Sequence, residues 1–206
     1  MIVTDIIELT KAKSRIFLDG EFAFVLYKGE LRLYHIIKGQ ELTVEDYEEI
    51  MHTLLPKRAK KRSMMLLQKK DYTEAELRRK LTAGEYPLEA IDEALEYVKS
   101  YGYVNDYQYS ISYITCYSSK WSRQKITSNL LSKGVDKKCI GHAFDEVCSK
   151  GDMISEESLI KGVLVKKHYD AQNADVKAKH KMYQHLLYKG FSSGAIGKVL
   201  GEFYSE

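Results

Sequence analysis

The chain has 206 residues, of which 44% are hydrophobic and 30% are charged, a composition that is typical of a globular protein with a sizeable core. Its formal net charge of +3 is too small to identify a partner, so electrostatic arguments depend on how charge is distributed along the chain. No apolar stretch is long enough to cross a bilayer and the first residues lack a secretory signal pattern, so we expect no membrane association and a cytoplasmic location.

The N-terminal residues predict a small β-sheet. β-branched and aromatic residues lie on both sides of Asp19-Gly20, a pair that readily adopts the positive φ angles of a tight hairpin turn. We predict strands at 14–18 and 22–27, and the alternation at 2–9 indicates a third. Because this piece is small, we expect it to pack against the rest of the chain.

A helix is predicted after the sheet. Thr43 is a good N-cap, and an apolar stripe with helical spacing follows it. The stripe consists of Tyr47, Ile50, Met51 and Leu54. Pro56 is expected to end or bend this helix, and the presence of only two prolines in the chain favours helices from there onward.

Beyond Pro56, one arrangement of apolar residues occurs three times. The first copy is Leu77, Leu81, Tyr86, Ile91 and Leu95. The second copy, 49 residues later, is Ile126, Leu130, Val135, Ile140 and Phe144. The third copy, 105 residues after the first, is Met182, Leu186, Phe191, Ile196 and Leu200. All of these positions are apolar or aromatic, which argues against a chance alignment.

Each copy predicts two helices joined by a turn. Apolar residues four apart share a helix face, Gly134 or Gly190 ends the first helix in the left-handed conformation, and Asp136 or Ser192 caps the second. In the first copy, Gly84 is expected to take the role of the terminating glycine one position earlier.

Another helical stretch precedes each pair, so each repeat contains three helices, with Asp106 and Ser155 as predicted caps at the repeat boundaries. We predict a mainly α fold in which three tandem three-helix repeats stack into an elongated curved array. The predicted parts are a β-hairpin and helix extension at 1–56 and repeats at 57–105, 106–154 and 155–206. An insertion near 169–175 predicts either an extended loop or added helical turns in the third repeat.

Charge alternates along the repeats. Basic residues dominate the first two helices of each repeat and acidic residues the third, so a regular stack would gather positive charge on one side, where it suits a phosphate backbone. The acidic side would suit a basic surface of a protein partner. The candidate binding residues are Lys57, Arg58, Lys60, Lys61, Arg62, Lys69, Lys70, Arg78, Arg79, Lys80, Lys120, Arg123 and Lys125. The alternative is that these cations only solvate helix faces.

Aromatic residues form a second pattern. Tyr109, Tyr113 and Tyr117 recur every four residues and share one helix face. Core packing is the favoured interpretation of this face and of Trp121, with base stacking or contact with a partner as the alternative.

Catalytic and metal-binding patterns are missing from the sequence. Cys116, Cys139 and Cys148 contain no CxxC pair, and His180 and His185 are five residues apart, where metal ligands on one helix face would be four apart. The chain also lacks a glycine-rich phosphate loop and a serine nucleophile in a sharp turn. We predict that the protein is not an enzyme and uses neither a cofactor nor a metal.

The junction GYVND at 102–106, the helix closing on LLSKG at 130–134 and the following Ile140 resemble the RecX family of bacterial RecA regulators. Family members typically carry GYLDD at this junction, so Asn105 departs from the pattern. The resemblance covers about 57–206 and extends more weakly to the N-terminal sheet.

This resemblance implies binding in the groove of the RecA–single-stranded-DNA filament, with effects on filament extension and stability, recombination, DNA repair and the SOS response. The implied partners are RecA and single-stranded DNA, bound weakly, without sequence specificity and in a salt-sensitive manner by a monomer. The alternative is a stand-alone helix-turn-helix-like module that binds duplex DNA in a sequence-dependent manner.

Overall fold

The computed structural model describes residues 1–151, 154–170 and 174–202 and divides the chain into two units, Met1–Asn105 and Asp106–Glu206. The predicted insertion at 169–175 includes residues 171–173, which lie outside the described residues. Among the described residues, no helix combines the length and the apolar character needed to cross a membrane.

The first unit begins with an antiparallel sheet whose strands are ordered β1, β2, β3. The strands are β1 Val3–Thr10, β2 Lys13–Leu18 and β3 Glu21–Tyr27. Asp19 and Gly20 have φ angles of 49° and 90°, the left-handed values that a tight hairpin turn requires. All three predicted strands are confirmed.

Helices follow the sheet in the first unit. They are α1 Lys28–Leu33, α2 Val44–Glu49, α3 Leu55–Leu67, α4 Glu74–Thr82 and α5 Leu88–Ser100. The predicted cap of α2 is confirmed, since Thr43 Oγ1 accepts a hydrogen bond from the Asp46 N–H.

The helix continues past Pro56 and does not end there. A π-helical stretch, Ile50–Leu54, joins α2 to α3, and the N–H of Leu55 donates to the Ile50 carbonyl, five residues earlier. Pro56 lies in the first turn of α3. Because proline has no N–H to give to the carbonyl four residues before it, the helix passes this position with a locally widened hydrogen-bond pattern.

The second unit consists of helices in its described part. They are α6 Asp106–Tyr117, α7 Arg123–Ser132, α8 Lys137–Ser149, α9 Glu156–Lys166, α10 Val176–Tyr188 and α11 Ser193–Glu202. Gly134 and Gly190 have φ angles of 87° and 80°, as predicted for the ends of α7 and α10. Asp136 accepts from the N–H groups of Lys138 and Cys139, which confirms it as the cap of α8.

Two more predicted caps are confirmed. Ser155 accepts from the Ser158 N–H at the start of α9, and Ser192 accepts from the Ala195 N–H at the start of α11. Asp106 is the first residue of α6, and its predicted capping role stays a prediction.

The turn of the first repeat differs from the prediction. Glu85, and not Gly84, adopts the left-handed conformation, with φ 59°. Glu85 is the position equivalent to Gly134 and Gly190, and Arg15 of β2 donates hydrogen bonds to its carboxylate. This ion pair lowers the pKa of Glu85 and holds a side chain at a position that usually favours glycine. A Cβ at Gly84 would lie 3.0 Å from the Tyr86 ring, so a side chain at this position would require the ring to shift by a few tenths of an ångström.

The apolar positions of the repeats form the cores. One core extends from Val3 to Val104 and joins the sheet to α3, α4 and α5, while α6–α8 and α9–α11 each surround a core of their own. Of the repeat positions, only Tyr86 and Met182 are half-buried, and the others are buried. The predicted fold class, mainly helical with three-helix repeats and a small N-terminal sheet, is confirmed. The predicted boundary at 56/57 lies within α3, and the first core is continuous across it.

The tyrosine stripe of α6 packs against the second core and stays half-buried. The ring centres of Tyr109 and Tyr113 are 6.1 Å apart, and those of Tyr113 and Tyr117 are 4.6 Å apart. Trp121 extends the stripe, since its ring stacks on Tyr117 with centres 4.1 Å apart. These side chains therefore join the core with one side and reach the surface with the other.

Candidate nucleic-acid interface

A groove of about 820 Å³ lies on the first unit, where the open end of the β2–β3 hairpin meets α1, α3 and the turn between α4 and α5. Five cations line it: Lys13, Arg58, Lys61, Arg62 and Lys80. Glu30 is the acidic residue among its lining residues. We call this surface the basic groove. Its charge makes it suited to an anionic ligand such as a phosphodiester.

Helix α3 supplies most of this charge. Arg58, Lys61 and Arg62 follow one another at spacings of three and four residues, which places them on one helix face. Ala59 and Leu66 lie about a quarter turn around the helix from Arg58 and are buried in the first core. The amphipathic pattern of α3 therefore turns its cations toward the groove.

Arg58 is a structural residue of this groove. Its Nη1 donates to the Val25 carbonyl at 3.1 Å and to Glu30 Oε2 at 2.9 Å, and only 13% of its side chain is exposed. Its guanidinium carbon lies 4.4 Å from the ring centre of Tyr27 and 5.7 Å from that of Tyr86. Arg58 thus ties α3 to the end of the sheet, and its charge is largely satisfied inside the protein.

The other groove cations are available to a ligand. Lys61, Arg62 and Lys80 are exposed, and no carboxylate in the described part of the chain lies within ion-pair distance of any of them. The ammonium group of Lys13 lies 4.8 Å from the centre of the Tyr27 ring, which is itself partly exposed. The groove therefore combines exposed cations with a partly exposed aromatic ring.

Tyr86 adds a neutral phenol to the groove wall. Burial raises the pKa of Tyr86, while the nearby Arg58 acts in the opposite direction. The phenol consequently stays protonated at neutral pH and adds no negative charge that would oppose an anionic ligand.

Two other predicted site residues are held by ion pairs within the first unit. Lys60 Nζ lies 2.7 Å from Glu93 Oε1, and Arg78 Nη1 lies 2.6 Å from Asp92 Oδ1. Both acids belong to α5, the acidic third helix of this repeat. The expected separation of a basic and an acidic side is therefore incomplete here, because α5 neutralises part of the charge of α3 and α4.

The remaining candidates lie outside the basic groove. Lys57 and Lys69 are exposed, Lys70 Nζ lies 4.4 Å from the Tyr72 ring centre, and Arg79 Nε donates to the Ala75 carbonyl. Lys120, Arg123 and Lys125 are exposed residues of the second unit. Arg123 lies over the Phe144 ring at 4.3 Å and Lys125 over the Trp121 ring at 4.7 Å.

Lys13, Tyr27 and Tyr86 line the basic groove but were not predicted as site residues. Lys13 and Tyr27 are direct partners across β2 and β3. In a regular hairpin closed at Asp19-Gly20, Lys13 would pair with the residue before Tyr27. A bulge between Ile16 and Phe17 shifts the register by one residue. The sequence predicted the turn at Asp19-Gly20, but no local sequence pattern indicated the shift in strand register.

Two family models match the chain. The first three-helix domain of RecX matches residues 59–97, and the third three-helix domain of RecX matches residues 155–200. The regulatory protein RecX of Clostridium beijerinckii is 30% identical over 199 residues, which cover 92% of this chain and 89% of the relative. The regulatory protein RecX of Caldanaerobacter subterraneus is 31% identical over 202 residues, which cover 97% of this chain and 98% of the relative. This chain belongs to the RecX family.

Solved RecX structures share the fold. A crystal structure of regulatory protein RecX has a TM-score of 0.63 at 23% identity and covers 98% of each chain. The RecX structure from Lactobacillus salivarius has a TM-score of 0.59 at 21% identity and covers 74% of this chain and 98% of that one. Within this RecX-family chain, Lys61, Arg62 and Lys80 lie inside the segment matched by the first three-helix domain, and Lys13 lies in the sheet before it.

Proposed function

We propose that this RecX-family protein regulates the RecA recombinase by binding the RecA–single-stranded-DNA filament, and that it catalyses no reaction. It would thereby modulate homologous recombination, DNA repair and the SOS response as a cytoplasmic monomer. Family membership supports the regulatory role, because the relatives are named regulatory protein RecX. The observation that carries the DNA contact is the basic groove, where Lys61, Arg62 and Lys80 converge and form no ion pair with a described carboxylate.

The groove favours contact with a nucleic-acid backbone over reading of a base sequence. Flexible cations neutralise phosphates and release their counterions, which gives binding that weakens with salt and depends little on sequence. The partly exposed Tyr27 ring offers a stacking surface for an unpaired base. Phosphate contacts that do not depend on sequence and a ring for base stacking suit single-stranded DNA that is already extended on another protein.

The direct test measures the DNA-dependent ATPase and strand-exchange activities of RecA with increasing amounts of the full-length protein. We expect the wild-type protein to change both activities and the variant Lys61→Gln/Arg62→Gln/Lys80→Gln to lose most of that effect. The control Lys11→Gln/Lys137→Gln/Lys138→Gln removes the same charge from exposed positions outside the groove and should behave as wild type. No effect of the wild-type protein at several-fold molar excess would refute the proposal.

The same proteins distinguish the helix-turn-helix alternative. That alternative predicts tight, sequence-dependent binding to duplex DNA without RecA. Weak binding in a gel shift, equal across duplex sequences and lost at moderate salt, would reject it and support the filament regulator.

A further inference from the structure

A second groove, of about 480 Å³, lies within the second unit between α7 and the end of α10. We call it the α7–α10 groove. It contains the ring of Tyr188, which is 92% exposed, and the side chains of Lys125 and Lys189. Its described lining residues include neither Asp nor Glu. The groove therefore favours an anionic ligand with a planar group.

One buried serine fixes the backbone under both lysines. Ser122 is fully buried, its hydroxyl donates to the Lys189 carbonyl at 2.9 Å, and its oxygen accepts from the Lys125 N–H. Neither lysine has a carboxylate within ion-pair distance in the described part of the chain. The backbone that carries the two lysines is therefore fixed before a ligand binds, so that binding has to order only their side chains.

The side chain of Lys125 also contacts an aromatic ring. Its ammonium group lies 4.7 Å from the Trp121 ring centre, and Trp121 is stacked on Tyr117 with an interplanar angle of 10°. Such a cation–π contact at a partly exposed site is weak enough for a phosphate to compete with it. Movement of Lys125 toward a ligand would therefore change the surroundings of Trp121.

We propose that the α7–α10 groove is a second binding site for single-stranded DNA, with an unpaired base stacked on Tyr188 and the adjoining phosphates bound by Lys125 and Lys189. The choice of single-stranded DNA as the occupant rests on the proposed function. The exposure of the Tyr188 ring favours a single strand, because the bases of a duplex are already stacked on one another.

The test uses the full-length protein and oligo(dT), without RecA. Trp121 is the only tryptophan in the chain, so its fluorescence reports from the side of this groove. We expect a saturable, salt-sensitive change in emission as oligo(dT) is added. Tyr188→Ala should raise the midpoint of that titration at least about fivefold and Lys125→Gln/Lys189→Gln should raise it further, whereas Tyr188→Phe should keep it near the wild-type value.

Two controls separate stacking from other effects. An abasic oligonucleotide of the same length should bind wild type and Tyr188→Ala with equal midpoints, because it has phosphates but no bases. Tyr101→Ala removes an exposed ring from the first unit and should leave the titration unchanged. Equal oligo(dT) midpoints for wild type, Tyr188→Ala and the double lysine variant would overturn the proposal, as would an unchanged Trp121 emission at saturating oligo(dT).

Failure of this proposal is distinguishable from failure of the proposed function. A saturable change in the Trp121 emission of the wild-type protein with oligo(dT), together with no effect on RecA activities, would support DNA binding in the α7–α10 groove and refute filament regulation. Full regulation of RecA by Tyr188→Ala and the double lysine variant, with no Trp121 response in the wild type, would refute the groove and leave the regulatory role supported.

Discussion

Ser122 and Gly190 approach so closely that no side chain fits between them. A Cβ atom placed on Gly190 would lie 2.9 Å from Ser122 Oγ. The same hydroxyl donates to the carbonyl of Lys189, so the end of α10 is docked on the first turn of α7. Glycine is therefore required at position 190 for two reasons, which are its φ of 80° and this close contact between the second and third repeats.

Gly190→Ala is expected to destabilise the second unit by more than the strain of a left-handed alanine alone, which is about 1–3 kcal/mol. Urea unfolding followed by circular dichroism measures the loss. The matched control is Gly151→Ala, which has a φ of 76° but no atom of the described residues within 4 Å of the added Cβ. Equal losses for the two variants would show that the contact with Ser122 is unimportant. In a Ser122→Ala background the extra loss should shrink.

Removal of Arg58 should damage the fold before it affects binding. Arg58→Ala removes the cation that is paired with the mostly buried carboxylate of Glu30 and leaves it the hydrogen bond from the Tyr27 N–H, so we expect a loss of about 3 kcal/mol in the free energy of unfolding. Lys60→Ala breaks the neighbouring pair with Glu93, which is much more exposed, and should cost less than about 1 kcal/mol. A chemical denaturation series on both variants checks this difference, and similar small losses would contradict the structural role of Arg58.

The cations of the basic groove should determine the salt dependence of single-stranded DNA binding. Each phosphate contact that is lost should reduce the slope of log affinity against log salt by about 0.7. Lys61→Gln/Arg62→Gln/Lys80→Gln is therefore expected to bind more weakly and with a flatter slope, at unchanged helicity. Fluorescence anisotropy at a series of salt concentrations gives both quantities. A slope identical to that of the wild type would mean that these residues do not contact phosphates.

His185 should make the second unit sensitive to mild acid. Burial lowers the pKa of His185 below its ordinary 6.5, and the charges of Lys167 and Lys189 act in the same direction. The unfolded chain then binds a proton at a pH where the folded chain does not, so stability is retained above about 6.5 and falls as the pH drops below it.

Urea midpoints measured at about pH 7.5 and about pH 5.5 test this linkage. His185→Gln should show a smaller decrease between the two pH values than the wild type, and His180→Gln, at an exposed position, should match the wild type. A wild-type decrease that is the same as that of His185→Gln would contradict the assignment.

Local patterns were sufficient for the elements and the repeats. Alternation around Asp19-Gly20 marked the hairpin, and the recurring apolar positions marked helix pairs whose turns at Gly134 and Gly190 formed as expected. These features depend on backbone preferences and on which side chains avoid water, both of which are determined within a few residues. The turn of the first repeat was the exception, because Arg15, distant in sequence, holds Glu85 in the left-handed position.

The site depended on contacts between distant parts of the chain. Arg58 and Lys61 are neighbours in one basic run, yet only packing against Val25 and Glu30 makes the first structural and leaves the second available to a ligand. The place of Lys13 in the groove likewise results from a bulge in the hairpin. Composition reveals how many cations a helix carries, but whether each is paired inside the protein is decided by which carboxylates and carbonyls the folded chain brings within hydrogen-bonding distance.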